Sequence, residues 1–352
     1  MAEERTLTQR ELNRALLARQ LLLERARTPL PRALERIGGI QAQYAPAMYI
    51  GLWSRLDGFE RDALTRALRR RSVVQGTLLR ATIHLVSARD YWPFAVAVRR
   101  ARRESWAGTP YRKEVSIRAL AAAARGIRRR FAGREFSRKE LDEALSGRKP
   151  RVSVWRNGVS LWLDLVRVPP SGTWERRSAD LYALAEDWLG PENATEAKGI
   201  ELLVRRYLAG FGPASPGEIA NWAGLTPKAV ERAARPLKLR RFRAEDGSEL
   251  IDLPRAPLPS PDTPAPVRFL PVWDATLLAH ARRTQILPEE HRSRVFSVKT
   301  PQSVNTFLVD GAVAGAWRYE RGSVRLEPFR SLDRSVRREL DEEAERLAAL
   351  HE

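Results

Sequence analysis

Gln41 and Gln43 stand one residue apart in the segment Arg36-Ile-Gly-Gly-Ile-Gln-Ala-Gln-Tyr-Ala-Pro46, just after a Gly-Gly break. In an extended or turn conformation, side chains two apart point the same way, whereas on a helix they would diverge by about 200°. Two convergent amides offer hydrogen-bond donors and acceptors without net charge. Such a pair can hold a water or a polarised sugar. The same residues also permit a plainer reading, a loop capped by two solvated glutamines. The elements around the pair must decide. Upstream, Leu12, Leu16, Leu17, Leu21, Leu22 and Leu23 lie on an amphipathic helical face. Gly38 and Gly39 are expected to stop the helix that runs from Ala33, because glycine favours non-helical φ/ψ.

Other groups capable of chemistry are few. Cysteine is absent, which removes disulfides and thiolate metal sites and suits a reducing compartment. Four scattered histidines (84, 280, 291 and 351) have no metal-ligand spacing, so no metal and no cofactor is expected. His84 sits between Ile83 and Leu85 in a β-rich run. Strand alternation places Thr82 on its face, and the pair is either structural or a contact to the site or a DNA backbone. Trp273-Asp274 and His280 precede Arg282-Arg283. There a core role competes with a place in the site, and Asp274 can orient a basic side chain in either case. No Gly-rich phosphate loop, Ser-His-Asp order or kinase motif is present.

Charge points to the partner. Lys+Arg number 62 against 43 Asp+Glu, a net charge of +19 with pI near 11.0. That excess favours an anionic partner, nucleic acid first. Lysine occupies only seven positions, so arginine supplies nearly all of the excess. Its planar fork suits phosphate, although a GC-rich genome would give the same usage. The clusters Arg99, Arg100, Arg102, Arg103 and Arg128, Arg129, Arg130, together with Lys228, Arg282 and Arg283, are the expected contacts to the DNA backbone. The N-terminus has no apolar leader, and no run of roughly 18 apolar residues exists, so no membrane association is expected.

The chain is long enough for two or three compact units. Residues 7–70 read as helices, with Thr8 and Glu11 forming a capping box. A ribbon follows over Ser72–Val86, with Gly76 as its kink or turn. Helices return over 89–133. Ser137 and Glu140 open a second helical group, with a ribbon running over Ser160–Val168, turning at Pro169–Gly172 and returning through Thr173–Arg176. Gly217–Arg232 has helix–turn–helix grammar: Gly224 at the turn, Thr226 as N-cap, Pro227 at the first helical position. Its ribbon is Leu239–Arg243, turn Asp246-Gly247, then Leu250–Leu253. Six prolines between 254 and 266 make a stiff linker or an irregular wrap. Strands are expected at Val267–Leu270, Arg294–Val298, Asn305–Arg318 (with an Asp310-Gly311 hairpin turn) and Val324–Leu326, and a terminal helix from Asp333 to His351.

Several stretches resemble the bacterial AlkZ/YcaQ-like winged-helix DNA glycosylases. They are Leu34-Glu-Arg-Ile-Gly-Gly-Ile-Gln-Ala-Gln43 with Pro46, Gly51-Leu-Trp-Ser-Arg-Leu56, Thr77-Leu-Leu-Arg-Ala-Thr-Ile-His-Leu-Val86, Arg206-Tyr-Leu-Ala-Gly-Phe-Gly-Pro213, Trp273-Asp-Ala-Thr-Leu-Leu-Ala-His280 and Leu308-Val-Asp-Gly-Ala-Val-Ala-Gly-Ala-Trp-Arg318. They come in the family's order from about residue 10 to residue 325. The resemblance implies an α+β, helix-dominated fold of three tandem winged-helix units and a small C-terminal β-barrel-like domain, forming a concave basic surface. The implied divisions are 1–90, 91–195, 196–258, 259–330 and a helix at 331–352. The implied activity is that of a monofunctional glycosylase acting on N7-alkylated purines, including bulky adducts or interstrand crosslinks, in base excision repair or self-resistance to a genotoxin. Gln41 and Gln43 would be its catalytic pair, matching the Gln-x-Gln rather than the Gln-x-Asp branch. Double-stranded DNA carrying alkylated bases would be the partner of a cytoplasmic, nucleoid-associated monomer. The competing class is a non-catalytic winged-helix regulator. Release of free base from damaged DNA, against sequence-selective footprinting on intact DNA, separates the two.

Overall fold

In the computed structural model, residues 5–149, 151–280, 283–296 and 303–352 are described. The first strand, β1 (Thr6–Leu7), precedes helix α1 (Gln9–Arg19), which Thr8 caps together with Glu11 in the expected reciprocal box. Helix α2 (Leu30–Ile37) ends at Gly38, whose φ of 79° is left-handed, and Gly39 follows at 83°. A β-branched residue cannot adopt that backbone without strain, so the glycine pair both stops the helix and redirects the chain. It delivers β2 (Ile40–Gln41), then α3 (Ala45–Trp53) and α4 (Arg61–Arg69).

Strands β3 (Val73–Thr77) and β4 (Ile83–Ser87) form the first ribbon. Its turn lies at Leu79–Ala81, not at Gly76. Gly76 sits inside β3, where a Cβ would come within 2.6 Å of the Tyr91 ring, so its role is to admit that ring. Then come α5 (Ala88–Ala107), α6 (Ile117–Phe131), β5 (Phe136–Ser137), α7 (Arg138–Leu145) and α8 (Val152–Val159). The second ribbon is displaced from its expected place: β6 is Leu165–Arg167 and β7 Leu181–Leu184, while residues 173–176 form no strand. Between the two strands the Thr173 hydroxyl accepts from the Arg176 N–H and the Ser171 hydroxyl from the Asp180 N–H, a capped loop in place of a tight turn, so the return begins several residues later.

Helices α9 (Ala185–Leu189), α10 (Glu196–Phe211), α11 (Pro216–Ala223) and α12 (Pro227–Ala234) follow, with β8 (Arg240–Ala244) and β9 (Glu249–Asp252). Gly224, Thr226 and Pro227 occupy the turn, cap and first-turn positions anticipated for them. The C-terminal part holds β10 (Arg268–Leu270), α13 (Ala275–Leu278), α14 (Arg292–Val295), β11 (Thr306–Val309), β12 (Ala312–Glu320), β13 (Ser323–Pro328) and α15 (Arg334–His351). The strand anticipated at Arg294–Val298 is largely replaced by α14, its residues 297 and 298 lying outside the described ones.

The fold is α+β and helix-dominated, with three sheets among the described residues and no closed barrel. The barrel-like C-terminal domain is therefore corrected to an open antiparallel sheet, β10-β11-β12-β13. Helix α15 covers it, burying Leu340, Leu347 and Leu350 in one core with Trp317 and Phe269, so closure is not needed to hide that face. The largest sheet runs β2-β4-β3-β6-β7-β5 and joins both early ribbons through the Gly76–Val166 pair. One face packs on α5, α10 and α11, the other toward α3 and the C-terminal sheet. Strand β1 adds in parallel to β8 and extends the third ribbon, so none of the three ribbons stands as an isolated pair of strands.

Buried ion pairs weld these parts. Arg19 and Asp252, both fully buried, meet at 2.7 and 2.9 Å and tie α1 to β9. The proline-rich 254–266 stretch is a wrap: Pro257, Pro261 and Thr263 present carbonyls to Arg19, Arg10 and Arg14. Prolines lack N–H donors but keep acceptors, which is what three arginines on one helix require. Among the described residues no helix is long and apolar enough to cross a membrane.

Candidate active site

Strand β2 pairs with β4 so that Gln41 lies directly opposite His84, and β3 brings Gly76 to the other side of His84. Side chains in one such row share a face. Gln41 is buried and Gln43, just beyond the strand, is exposed. The two amides converge as their spacing implied: Gln41 Nε2 donates to Gln43 Oε1 at 2.5 Å. Among the described residues no carboxylate is bonded to either amide.

The third member was not singled out from sequence. Arg80 sits in the β3–β4 turn at φ 50° and ψ 29°, followed by Ala81 at φ 57°. Two consecutive non-glycine residues in the left-handed region are costly, on the order of 1–3 kcal/mol each, and persist only when their surroundings hold them. Here the hold is visible. Arg80 donates to the carbonyl of Trp222, and a Cβ at Gly224 would fall only 3.2–3.3 Å from the Arg80 backbone, so the glycine admits that backbone closely. The Arg80 Nη2 then reaches Gln41 Oε1 at 3.5 Å. Burial pulls the guanidinium pKa below its ordinary value, and no carboxylate among the described residues pairs with it.

His84 is buried, and its Nδ1 lies 3.1 Å from the Thr82 carbonyl and 3.5 Å from the Thr82 hydroxyl. A carbonyl only accepts, so Nδ1 carries the proton of the neutral ring. Burial first, then the Arg80 charge, push the His84 pKa down to about 3 against the opposing Thr82 bond. The ring is therefore neutral at physiological pH and is no general acid there. Thr82 shares its face, as alternation required.

Two further arginines approach the same segment. Arg167 of β6 donates to the carbonyl of Ala42, between the glutamines, at 3.3 Å. Arg177 donates to the Tyr44 hydroxyl at 3.2 Å and stands near the Tyr44 and Trp174 rings. Composition could not have marked Arg80, Arg167 or Arg177 among so many arginines; only the Thr77–Val86 stretch pointed near one of them.

The remaining expected residues lie in other settings. Asp274 is buried, grips Arg55 at 2.8 and 2.9 Å and caps α13 through Thr276. Burial opposes its ionisation, but Arg55 and Thr276 outweigh it and hold the carboxyl below its usual range. It orients a buried cation and braces α3 against the C-terminal sheet. His280 is buried between the Tyr207 hydroxyl, at 3.2 Å, and Glu218, at 3.1 Å. Neither joins the glutamine pair by any described contact.

The basic set divides. Arg102 is buried, donating to the carbonyls of Thr77 and Ser160, so it supports the fold beneath the site instead of facing outward. Arg99 is shared by Asp164 and Glu192, Arg100 by Glu196, and Arg128 by Glu186. Arg103 donates to Leu161 and lies over Trp162. Arg283 donates to Leu277 and lies over Phe296. Arg129, Arg130 and Lys228 are exposed. Arg282 lies outside the described residues.

This arrangement can position a neutral nucleophile or a sugar with amides and hold anions around them. A family model described as DNA glycosylase AlkZ-like matches residues 34–350. A protein of Streptomyces sahachiroi, named an interstrand DNA cross-link repair glycosylase, is 22% identical over 94% of this chain and 93% of its own length. The structure of the Streptomyces sahachiroi DNA glycosylase AlkZ superposes with a TM-score of 0.83 at 18% identity, covering 98% of this chain and 97% of that one. The model match spans nine-tenths of the sequence, amide pair included, and the chain belongs to the AlkZ-like DNA glycosylase family.

Proposed function

We propose that this glycosylase hydrolyses the N-glycosidic bond of N7-alkylated purines, with Gln41 and Gln43 at the reaction centre. The observation that carries the reading is the bonded amide pair with no carboxylate attached to it among the described residues. Alkylation at N7 makes the base cationic. When the C1′–N9 bond breaks, its electron pair neutralises the base, which leaves without being protonated. Water adds to C1′ from the far face, and its proton passes to solvent, giving an abasic site. Such a reaction asks for positioning and for dipoles that favour the developing sugar cation, both of which neutral amides supply. A poor leaving group would need an acid or a stronger base. The Streptomyces relative named for crosslink repair supports extending the substrates to bulky and crosslinked N7 adducts. A tethered nucleotide cannot be freely extruded. The helix groups before each ribbon are read as three winged-helix units facing DNA through a concave basic surface, in a monomer.

The test is release of free base, followed by chromatography and mass spectrometry, from duplexes carrying one N7-methylguanine, one bulky N7 adduct or one N7 crosslink. Uracil and undamaged guanine are the controls. Release from the N7 substrates alone supports the assignment. Release of uracil, or no release from any N7 adduct, refutes it.

A further inference from the structure

We propose that Arg80 and Arg167 bind the DNA phosphates that flank the lesion nucleotide, one from each side of the glutamine segment. The proposal rests on the reading that Gln41 and Gln43 mark the reaction centre.

The two arginines touch consecutive residues of that segment, Arg80 at the Gln41 side chain and Arg167 at the Ala42 carbonyl. They come from different directions. Arg80 leaves the β3–β4 turn beside Trp222. Arg167 follows Val166, whose side chain joins the core on the α5 and α10 face, so alternation places Arg167 on the opposite face of the sheet. There it lines a cavity of about 160 Å³ with Thr77, Asn157, Ser160 and Arg156.

Both guanidiniums are part-buried and lack a carboxylate among the described residues. That separates them from Arg19, Arg55 and Arg206, whose partners are Asp252, Asp274 and Asp90. Arg102 and Arg268 also lack such a partner, but each spends two N–H groups on carbonyls away from the glutamines. A guanidinium carries five N–H donors. Arg167 uses one in a described bond, Arg80 two. Burial lowers the pKa of both, so an anion beside either would favour its charged form.

Electrostatics sharpens the point. A bare cation beside Gln41 would oppose a positive charge developing on the sugar. A phosphodiester between them cancels that repulsion and fixes the sugar's position. The pair thus fits a centre that makes a cation only when DNA is bound.

Single-turnover base release from duplexes with one N7-methylguanine tests this, each duplex carrying one methylphosphonate in place of one phosphate near the lesion. In the parent protein, neutral linkages at two flanking positions are expected to slow release by about tenfold to a hundredfold, the worth of a charge-assisted contact. Arg80→Gln should lose sensitivity at one position and Arg167→Gln at the other. A merely structural arginine would leave that sensitivity intact. If Arg80→Gln fails to fold, the parent scan and Arg167→Gln still read the result. A parent that releases base but ignores every methylphosphonate overturns the phosphate assignment and leaves the reaction centre standing. A parent that releases no base removes the reaction centre and this proposal with it.

Discussion

Gln43→Ala and Gln41→Ala should separate catalysis from folding because the two amides sit in different surroundings. Gln43 is exposed, so water replaces its lost contact, and the change in stability should stay within about 0.5 kcal/mol. Gln41 is buried, and its removal strips an acceptor from Arg80, a cost of about 1–3 kcal/mol or a few degrees in Tm. Base release should respond alike in both. Losing a preorganised polar contact at a transition state costs about 2.7–4 kcal/mol, roughly a hundredfold to a thousandfold in rate. A lesion that depurinates readily by itself should sit at or below the lower end. The Gln41–Gln43 bond adds a stronger requirement. Residues that act through one contact are non-additive, so the double variant should be little slower than the worse single one. The assay is single-turnover release of N7-methylguanine, with DNA affinity measured separately by fluorescence anisotropy. Parent rates in both single variants and the double one would refute the catalytic assignment. Affinity falling in proportion to rate would make the glutamines DNA contacts instead.

Three other outcomes are expected. Gly39→Val places a branched side chain at φ 83° with its Cβ 3.0–3.1 Å from Val86 and the Leu85 carbonyl; strain and overpacking of about 1–3 kcal/mol each should lower the melting temperature and misaim β2, and an unchanged melt with full activity would contradict both. His84 has a folded pKa depressed to about 3 from 6.5, so the unfolded chain takes up a proton first as pH falls: its contribution is fully present above 6.5 and is lost progressively toward 3, on the order of 3 kcal/mol by pH 4. Urea denaturation from pH 7 to 4 should show a shallower acid loss in His84→Asn than in the parent, and equal slopes would sink the assignment. Affinity for undamaged duplex should drop by about a thousandfold or more between 50 and 200 mM salt if six or more phosphates are neutralised; a nearly flat plot of log K against log salt would show that the +19 charge is not directed at DNA.

What the sequence disclosed was local stereochemistry. The Thr8–Glu11 box, the Gly38-Gly39 stop, the Thr226-Pro227 helix start and the Asp310-Gly311 turn each depend on a few neighbouring residues, and each stands where the chain's own chemistry put it. The amide pair belongs with them, since its convergence needs only extended backbone between positions 41 and 43. What escaped depends on residues far apart. The Gly76–Val166 pairing fuses two ribbons into one sheet and leaves no mark in a short window of sequence, and although the terminal helix was legible, the sheet face it covers, which makes barrel closure unnecessary, was not. Charge shows the same divide. A net +19 says how many cations exceed the anions, but where tertiary contacts place the carboxylates decides which cations remain for DNA. Arg99, Arg100 and Arg128 looked like a phosphate track and are met by Asp164, Glu192, Glu196 and Glu186. Arg80 looked ordinary, yet its left-handed turn, locked by Trp222 and Gly224, delivers an unneutralised charge to Gln41. The strain at Arg80 is therefore best understood together with the site: a relaxed turn would carry the guanidinium elsewhere, and the buried amide would lose the neighbour that orients it.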